Sequence, residues 1–455
     1  MAGVNTSSRT TDNWNALIAS FLGWTLDAFD YFIVVMVLTE IGSEFHKTNT
    51  EMALTLTLTL AFRPIGAFVF GLLADKYGRR IPLMIDVVAY SIIEVASGFS
   101  PNFTTFLILR ALFGIAMGGE WGVGASLAME SVPAKWRGVL SGVLQQGYAV
   151  GYMIAAAAYF FVLPHFGWRA MFFVGGAPAL LALFIRSKVK ESEVWEKTRR
   201  KDWSHLWRQV RSHAFFYVLA AVAVTGLAYV VTASFVATNA GIAVVFIGAL
   251  LISFMADMTW KVAAGHRAMF AYLVVFLTFM GFCSHGTQDL YPTFLKVERG
   301  FTAQGAAIKT IIANAGAIVG GTIGGLFSDR IGRRKSMIVS LLFGIIVIPL
   351  WAFSPSTALL AAGAFLLQFA VQGAWGIVPV QMAELTPDHI RGFLPGFAYQ
   401  CGILLAGSVA YIEAAFGKDR YSHSMSLTAL VVFAGAAIVI ALGPEKRGIE
   451  FGSGK

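Results

Sequence analysis

Long apolar segments separated by short polar ones run along almost the whole chain. The segments have about 18 to 25 residues each, the length at which a helix rising 1.5 Å per residue crosses the ~30 Å hydrocarbon core of a bilayer. The alternation of polar and apolar residues that is typical of strands is absent from the sequence. Because helices satisfy their own backbone groups in lipid, the pattern predicts an all-α integral membrane protein.

The apolar segments fall into two sets of six, with two further segments between the sets. The first set lies at about 14–38, 50–74, 81–99, 103–131, 138–163 and 169–186. The second set lies at about 268–294, 304–328, 336–354, 356–385, 392–416 and 424–443. The two further segments lie at about 214–236 and 239–256, so the pattern predicts 14 spanning helices.

These segments predict three parts of the chain. Residues 1–187 form an N-terminal six-helix half, residues 188–265 a cytoplasmic linker with the two extra spanning helices, and residues 266–455 a C-terminal six-helix half. The linker also contains a helical stripe of apolar residues beside Arg208 and Arg211, which predicts an amphipathic helix at the membrane surface. The stripe consists of Trp203, Leu206, Trp207 and Val210.

The two sets of six are copies of one another. "GLLADKYGRR" at 71–80 recurs as "GLFSDRIGRR" at 325–334, and "ESVPAKWRG" at 130–138 recurs as "ELTPDHIRG" at 384–392, with one offset of 254 residues. The same offset relates Trp121 to Trp375, Gly142 to Gly396, and Gln146 to Gln400. Parallel repeats of six helices are typical of transporters whose substrate site lies near the midplane, where the halves meet.

Composition and charge agree with a membrane protein. Hydrophobic residues make up 57% of the chain and charged residues 13%, against roughly 25% charged in soluble domains. The net charge of +9 comes from basic residues in a few short loops. Those loops are expected in the cytoplasm, together with both termini, and nucleic acid is not an expected partner. Cys283 and Cys401 lie in apolar segments and indicate no disulfide framework.

The two loops with the pattern G-x-x-x-D-x-x-G-R-R resemble the loop signature of the major facilitator superfamily, and they occur at corresponding places in the two halves. The resemblance implies that the loop charges, with an acid and an arginine of the following loop, hold the cytoplasmic side closed. The alternative is that the arginines only anchor the loops inside the cell. The gating candidates are Asp75, Arg79, Arg80, Glu130, Arg137, Asp329, Arg333, Arg334, Glu384 and Arg391.

Further stretches narrow the resemblance. "LDAFDYFIV", "AFRPIGAFVFG" and "GGEWGVGASLAMES" in the N-terminal half, with the fourteen-helix layout, look like the sialate:proton symporter family. "SHGTQDLYPT" at 284–293 is similar to the seventh-helix signature of its Jen-type lactate permeases, although Gly281 stands where that signature has asparagine. The resemblance implies a proton-coupled carrier of short monocarboxylates such as lactate.

Ionisable residues at membrane depth cost ~2.5–3.5 kcal/mol or more, so each one in the N-terminal half is a functional candidate. Asp27 and Asp30 share a helix face and are expected to carry the coupling proton. Arg63 and Arg110 can each bind a carboxylate substrate, or can instead neutralise an aspartate. Glu120 either takes part in proton coupling or only braces its helix. Asp86 and Glu94 are expected to be structural.

The seventh predicted helix carries the densest polar cluster. His285 and Asp289 are four residues apart and lie on one face, where an imidazole and a carboxylate can share a proton. Ser284 and Gln288 form a second such pair that can donate to a carboxylate. The alternative, a satisfied core histidine, is weakened by the number of polar neighbours. Further substrate-site candidates are Gln146, Asn314, Gln372 and Gln400, although helix packing explains a stripe such as Gln368, Gln372 and Trp375 nearly as well.

Together these features predict a proton-coupled symporter that imports short monocarboxylates such as L-lactate by alternating access. A sialic acid or aromatic acid symporter is the nearest alternative, and a membrane sensor derived from a transporter is a more distant one. The phosphate-binding pattern G-x-x-x-x-G-K-[ST] is absent from the sequence, so an ion gradient is the expected energy source. No enzyme activity, cofactor or metal site is expected, and the protein is expected to work as a monomer in the inner (plasma) membrane.

Overall fold

The computed structural model describes residues 6–47, 49–177, 179–198, 204–231, 239–417 and 420–452, and across these ranges the chain is helical without any strand. Most helices are too uniformly apolar to have one polar face, as expected of helices surrounded by lipid and by each other. Their order follows the predicted spanning segments closely.

In the N-terminal half, the long helices are broken where glycine or proline occurs. Gly167 has φ +75°, which separates the fifth and sixth predicted spanning helices within α8. The helices are α1 (Thr6–Met36), α2 (Leu38–Glu44), α3 (Asn49–Tyr77), α4 (Arg80–Gly98), α5 (Phe103–Met117), α6 (Glu120–Ser131), α7 (Arg137–Gln145), α8 (Gly147–Val174), α9 (Ala179–Lys188) and α10 (Glu193–Thr198).

The C-terminal half has the same order of long and broken helices. Its helices are α14 (Arg267–Gln288), α15 (Tyr291–Val297), α16 (Ala303–Ile331), α17 (Arg333–Phe353), α18 (Thr357–Trp375), α19 (Val378–Leu385), α20 (Leu394–Ala406), α21 (Val409–Gly417) and α22 (Tyr421–Leu442). Short 3₁₀ turns at Ala134–Trp136 and Asp388–Ile390 occupy corresponding places in the two halves.

By its internal contacts the chain forms two compact units, one of 1–198 with 271–455 and a smaller one of 199–270. The smaller unit contains α11 (Ser204–Ser212), α12 (Ala214–Val231) and α13 (Asn239–Val262). Within it, Lys261 donates to Asp257 at 2.5 Å. Of the predicted amphipathic stripe, Trp203 lies outside the described residues, as do residues 232–236 of the first extra spanning segment.

Ten helical stretches in the described ranges are long and apolar enough to cross a membrane. One of them, Ala134–Ala182, runs through two predicted spanning helices. Leu394–Ala406 and Ala214–Gly226 are shorter apolar helices that coincide with two other predicted spans. The protein is therefore a multi-pass helical bundle with several broken spans.

The two halves touch through closely packed glycines near the repeated loops. A Cβ on Gly71 of α3 would lie 2.9 Å from Cα of Phe393. At the corresponding place in the other half, a Cβ on Gly325 of α16 would lie 2.3 Å from the carbonyl oxygen of Gly138. The halves thus meet on this face at van der Waals distance, in the same way in both copies.

Candidate functional site

A central cavity lies between the two halves. It is narrow, about 30 Å³, which is room for one or two water molecules. An organic substrate therefore needs the lining side chains to move apart. The polar and aromatic residues of its wall come from both halves: Trp24, Asp27, Tyr31, Arg63, Gln145, Tyr148, Ser284, His285, Gln372, Trp375 and Tyr399.

On the N-terminal side of the cavity, Arg63 and Asp27 form an ion pair. Arg63 Nη2 lies 3.3 Å from Asp27 Oδ2, and both side chains are buried. Pro64 follows Arg63 within α3. Asp27 Oδ1 and Arg63 Nε have no hydrogen-bond partner among the described residues. The pair therefore retains hydrogen-bonding capacity for a further group in the cavity.

On the C-terminal side, His285 reaches the cavity from the end of α14. Its Nδ1 lies 3.1 Å from Asp289 Oδ2, as the spacing of four residues predicted. The Asp289 side chain is 38% exposed and the His285 side chain 11% exposed. Ser284 lines the cavity beside His285. The imidazole thus connects the cavity wall to a partly solvated carboxylate.

Aromatic rings form much of the remaining wall. Trp24 stacks on Tyr148 with ring centroids 5.6 Å apart, and Trp121 stacks on Tyr399 at 4.3 Å. Trp375 meets Tyr399 edge-on at 5.9 Å. Because Trp121 and Trp375 are related by the repeat, this cluster joins equivalent positions of the two halves. It gives the cavity a rigid apolar wall beside its charged groups.

Arg110 lies away from the cavity and is fully buried between α4, α5 and α8. Its Nη2 lies 2.8 Å from Glu94 Oε2 and also donates to Ser97. The rings of Phe106, Phe113 and Phe172 surround its guanidinium at 4.5 to 5.5 Å. Arg110 therefore pairs with Glu94 rather than with an aspartate, and the structure does not bring it to the predicted substrate site.

The other acidic candidates of the N-terminal half are buried behind the cavity wall. Asp30, Asp86 and Glu120 are each at most 1% exposed. None of their carboxylate oxygens has a hydrogen-bond partner within the described part of the chain. Glu120 packs against the backbone of Gly23, where a Cβ would lie 1.8 Å from its Oε1. With Asp27 and Glu94, five buried carboxyl groups face two guanidinium groups, Arg63 and Arg110.

The polar candidates outside this cluster have mixed surroundings. Gln372 lines the cavity. Gln288 donates to Gln368 at 2.7 Å, and Asn314 donates to the backbone of its own helix at 2.9 Å. Gln146 packs against Gly321 of the other half, and Gln400 donates to the Gly118 carbonyl at 3.4 Å. These last four do not line the cavity, and Gln146 and Gln400 lie where the halves pack together.

The repeated loops bring their charged residues together as predicted from the spacing. In the N-terminal copy, Arg79 Nη1 lies 2.6 Å from Asp75 Oδ1, and Nη2 lies 3.2 Å from Glu130 Oε1. Burial by itself lowers the pKa of Arg79, but the carboxylates of Glu130 and Asp75 outweigh it and raise that pKa above its ordinary value. The guanidinium is therefore fixed in its charged form.

The C-terminal copy repeats this geometry. Arg333 Nη1 lies 2.6 Å from Asp329 Oδ1, and Nε lies 3.0 Å from Glu384 Oε2. Arg334 donates from Nε to the carbonyl of Ile440 at 2.9 Å. Arg79 and Arg333 thus each bridge the acid of their own loop and the acid of the next loop.

The two copies are joined to each other through the loop aspartates. Asp75 accepts hydrogen bonds from the backbone N–H groups of Gly392 and Phe393 at 2.9 and 3.1 Å. Asp329 accepts from Gly138 and Val139, both at 3.1 Å. Arg391 also approaches Glu130 of the other half at 3.6 Å. The halves are therefore hydrogen-bonded together on the side with the basic loops, and this side is closed.

Two acidic residues that were missed in the sequence belong to this network. Glu191 accepts from the backbone N–H groups of Arg79 and Arg80 at 2.8 and 3.2 Å. Glu445 accepts from the N–H of Arg333 at 2.8 Å. Glu191 and Glu445 are separated by the same 254 residues as the other repeated positions. That offset was a signal in the sequence that could have identified both.

The C-terminal segment adds a third missed element. Arg137 donates to the carbonyl of Ile449 at 2.5 Å. The ring of Phe451 lies against two guanidinium groups, that of Arg137 at 3.5 Å and that of Arg391 at 3.8 Å. Because these arginines belong to different halves, Phe451 bridges the halves on the closed side. Neither the hydrophobic pattern nor the 254-residue repeat indicated that Phe451 has this bridging role.

Two family models of membrane transporters match the sequence. The family model for the Major Facilitator Superfamily matches residues 20–289, and the model for "Sugar (and other) transporter" matches residues 278–445. The chain belongs to the major facilitator superfamily. It is therefore a membrane transporter and not an enzyme, and the predicted all-helical fold is confirmed. In the described ranges, no group of three or more His, Cys, Asp or Glu side chains could hold a metal ion.

Two curated relatives and one solved structure are similar to this chain. A carboxylic acid transporter protein homolog of Saccharomyces cerevisiae is 29% identical over 95% of this chain, which spans 66% of the yeast protein. A probable 4-methylmuconolactone transporter of Cupriavidus pinatubonensis is 29% identical over 95% of this chain and 90% of its own length. The structure of the proton:xylose symporter XylE superimposes with a TM-score of 0.72, at 19% identity and 98% coverage of both chains.

Proposed function

We propose that this member of the superfamily is a proton-coupled symporter that imports short monocarboxylates, such as L-lactate, by alternating access. It would lie in the inner (plasma) membrane as a monomer, with both termini in the cytoplasm. The observation that carries the proposal is the position of Arg63 and His285. These two groups come from different halves and face one narrow cavity, so that a single carboxylate can contact both.

The Arg63–Asp27 pair offers a way to couple proton and substrate. While Asp27 is ionised, it holds the guanidinium of Arg63 at 3.3 Å. A proton on Asp27 removes this competition, and the substrate carboxylate then takes the place of the aspartate. The loaded site carries no more charge than the empty one, which lowers the cost of moving it through the membrane.

The size and polarity of the cavity support a small substrate. Any organic substrate must widen this cavity, and a short 2-hydroxy or 2-oxo acid needs less widening than a nine-carbon sialic acid. Ser284 and Gln372 stand beside the charged groups and can bind the 2-hydroxy or 2-oxo oxygen. The naming of the yeast relative as a carboxylic acid transporter homolog supports an acid substrate.

An aromatic acid is the second candidate, because rings line the cavity. Trp24, Tyr31, Tyr148, Trp375 and Tyr399 can stack on a planar substrate. A sensor that binds ligand without transport is less favoured. Both copies of the gating network are intact and bonded across the halves, and such a network serves a protein that opens and closes.

The test is uptake into proteoliposomes that contain the purified protein. Radiolabelled L-lactate is offered with and without an inward proton gradient, and pyruvate, benzoate and sialic acid are tested as competitors. We expect uptake that rises as the outer pH falls, and competition by pyruvate rather than by sialic acid. Uptake that is indifferent to the proton gradient would refute the coupling, and strong competition by benzoate alone would favour the aromatic candidate.

Variants of Arg63, of His285 and of their acidic partners separate substrate binding from proton coupling. His285→Ala and Arg63→Gln remove carboxylate contacts, so we expect substrate binding to weaken by about tenfold or more, equivalent to ~1.4 kcal/mol. Asp289→Asn and Asp27→Asn should retain lactate exchange but lose proton-driven accumulation. Lys309→Gln serves as control, because Lys309 does not line the cavity.

A further inference from the structure

One buried acid of the C-terminal half belongs neither to the cavity wall nor to the gating network. Glu413 lies in α21 and is fully buried. Among the residues that the structure describes it has no ion-pair partner, and the hydrogen-bonding group beside it is the hydroxyl of Thr428. An ionised carboxylate in such a place costs several kcal/mol. Burial at this position therefore favours the neutral form of the carboxyl group over the ionised form.

Gly286 makes the space that this carboxyl group occupies. A Cβ on Gly286 would lie 3.2 Å from Glu413 Oε1 and 3.2 Å from Cγ2 of Thr428. Gly286 follows His285 directly in the sequence, within the "SHGTQD" stretch. The glycine thus brings the Glu413 carboxyl group against the backbone of the helix that carries the predicted proton-sharing pair.

The repeat provides an internal comparison. The residues that precede Gly286, Glu413 and Thr428 by 254 positions are Phe32, Tyr159 and Val174. In the N-terminal half, Phe32 stacks on Tyr152 at 4.0 Å, and the hydroxyl of Tyr159 donates to Glu40 at 3.1 Å. The fold therefore does not require an acid at this position, since the N-terminal half has a tyrosine there.

The charged surroundings of Glu413 come from one helix. On α14, Asp289 acts on it as a like charge, and His285 directly precedes Gly286 in the sequence. On α22, the facing residue is the neutral Thr428. No cation contacts it within the described residues. Asp289 is partly exposed, so among the charged groups that act on Glu413 it is one in contact with solution.

We propose that Glu413 is a proton-binding site of the C-terminal half, loaded through Asp289 and protonated while a carboxylate binds at His285. Each loading takes one proton from solution and converts the ionised carboxyl group to the neutral one. The neutral form does not repel a substrate carboxylate on the adjacent turn of α14. The claim that Glu413 binds a proton does not depend on the proposed symport, whereas the claim that this proton affects transport rests on it.

Infrared difference spectroscopy of the purified protein tests the proton directly. We expect the wild-type spectrum at neutral pH to contain a protonated-carboxyl band with a component that is missing from Glu413→Gln, while the contributions of the other buried carboxyl groups remain. The matched control is Glu44→Gln, which should leave the band unchanged because Glu44 is ion-paired with Arg169 at 2.6 Å. An identical band in wild type and Glu413→Gln would overturn the proposal.

The pH profile of transport tests the consequence. Wild-type uptake should fall by about tenfold per pH unit above the titration of a single controlling group. In Glu413→Gln, lactate exchange should stay within about twofold of the wild type, or ~0.4 kcal/mol, and the pH dependence should flatten. An unchanged profile would contradict the role in transport. If the wild type shows no proton-driven uptake, the proposed symport is refuted. Proton binding at Glu413 is then tested by the infrared result alone.

A second variant covers the case in which Glu413→Gln does not fold. Gly286→Ala keeps the carboxyl group but crowds its Oε1, because the added methyl group would lie at 3.2 Å. We expect the infrared band to shift in position while the protein remains folded, as judged by its melting temperature. A band that does not move in Gly286→Ala would also count against the site.

Discussion

Gly122 of α6 and Gly396 of α20 bring the two halves into backbone contact. A Cβ built on Gly122 would lie 2.5 Å from Cα of Gly396, and one on Gly396 would lie 2.8 Å from Cα of Gly122. No side chain can be added at this crossing without separating the helices. The crossing lies between the aromatic cluster of the cavity and the charged network of the repeated loops, so we expect closure of the basic side to depend on it.

Replacing Gly122 with alanine should prevent full closure. Inserting a methyl group into a packed contact costs about 1–3 kcal/mol, so we expect uptake to fall by about tenfold or more while substrate binding is retained. Gly124→Ala on the same helix is the control, since its Cβ would meet Ser20 at an ordinary 3.7 Å. Wild-type uptake by Gly122→Ala would show that the close crossing is not needed.

The two loop aspartates can be tested with one variant in each half. Asp75→Ala and Asp329→Ala each remove two hydrogen bonds to backbone N–H groups of the opposite half. Hydrogen bonds to charged groups contribute about 1.5–3 kcal/mol each. We expect both variants to open the basic side, measured as faster alkylation of a cysteine placed at Ser141. In the control variant Lys76→Ala, which changes a neighbour of Asp75, the cysteine at position 141 should be alkylated at the wild-type rate.

Arg110 and Glu94 predict a rescue by double mutation. Arg110→Met leaves Glu94 buried without its partner, which should destabilise the protein by about 3–5 kcal/mol. Adding Glu94→Gln removes the unpaired charge and should recover much of the melting temperature. If Arg110 only holds the helices together, the double variant should also recover lactate binding. Recovered stability without binding would instead point to a direct contact between Arg110 and substrate.

Much of this architecture could be predicted from the sequence because it depends on local spacing. The lengths of apolar segments predict helices, and the 254-residue offset predicts two halves. The pairs His285–Asp289 and Arg333–Asp329 lie four residues apart, so helix geometry alone brings them together. These relationships need no knowledge of how one helix is rotated against another.

The partners across helices could not be predicted in this way. In lipid, most of these helices are apolar on every side, so the hydrophobic pattern does not show which face meets a neighbour. Arg110 was expected at a substrate site but faces Glu94 of α4. Gln146 and Gln400 were expected in the cavity, but they pack between the halves. The rotation of each helix decides these cases.

Phe451 predicts an effect of the C-terminal segment on closure. A cation–π contact contributes about 0.5–2 kcal/mol, and Phe451 makes two such contacts with arginines of different halves. Phe451→Ala should therefore increase alkylation of the same cysteine at Ser141, and Phe451→Trp should restore protection. Phe416→Ala removes an 82% exposed ring and should change nothing. Equal protection in Phe451→Ala and wild type would exclude the bridging role.

Glu44 predicts a pH-dependent contribution to stability. Hydrogen bonds from Arg169 lower its pKa below the ordinary 4.5, and the Trp168 indole N–H adds to this, although burial opposes it. A carboxyl group with a lowered pKa stabilises the fold above its unfolded pKa, and this contribution is lost as the pH falls through the folded value. The contribution is present at neutral pH and absent in strong acid.

Glu44→Gln measures this contribution. Since the Glu44 side chain is 45% exposed, the pair contributes only about 0.5–1 kcal/mol, or roughly 1 °C in melting temperature for a chain of this size. The difference between wild type and variant should be present at pH 7 and disappear in acid once the pH has fallen below the lowered pKa of Glu44 in the folded protein, where the wild-type carboxyl is also neutral. Glu196→Gln, at an exposed position in α10, should show no such dependence on pH. A difference that persists in acid would mean that packing at Glu44, and not its charge, stabilises this contact.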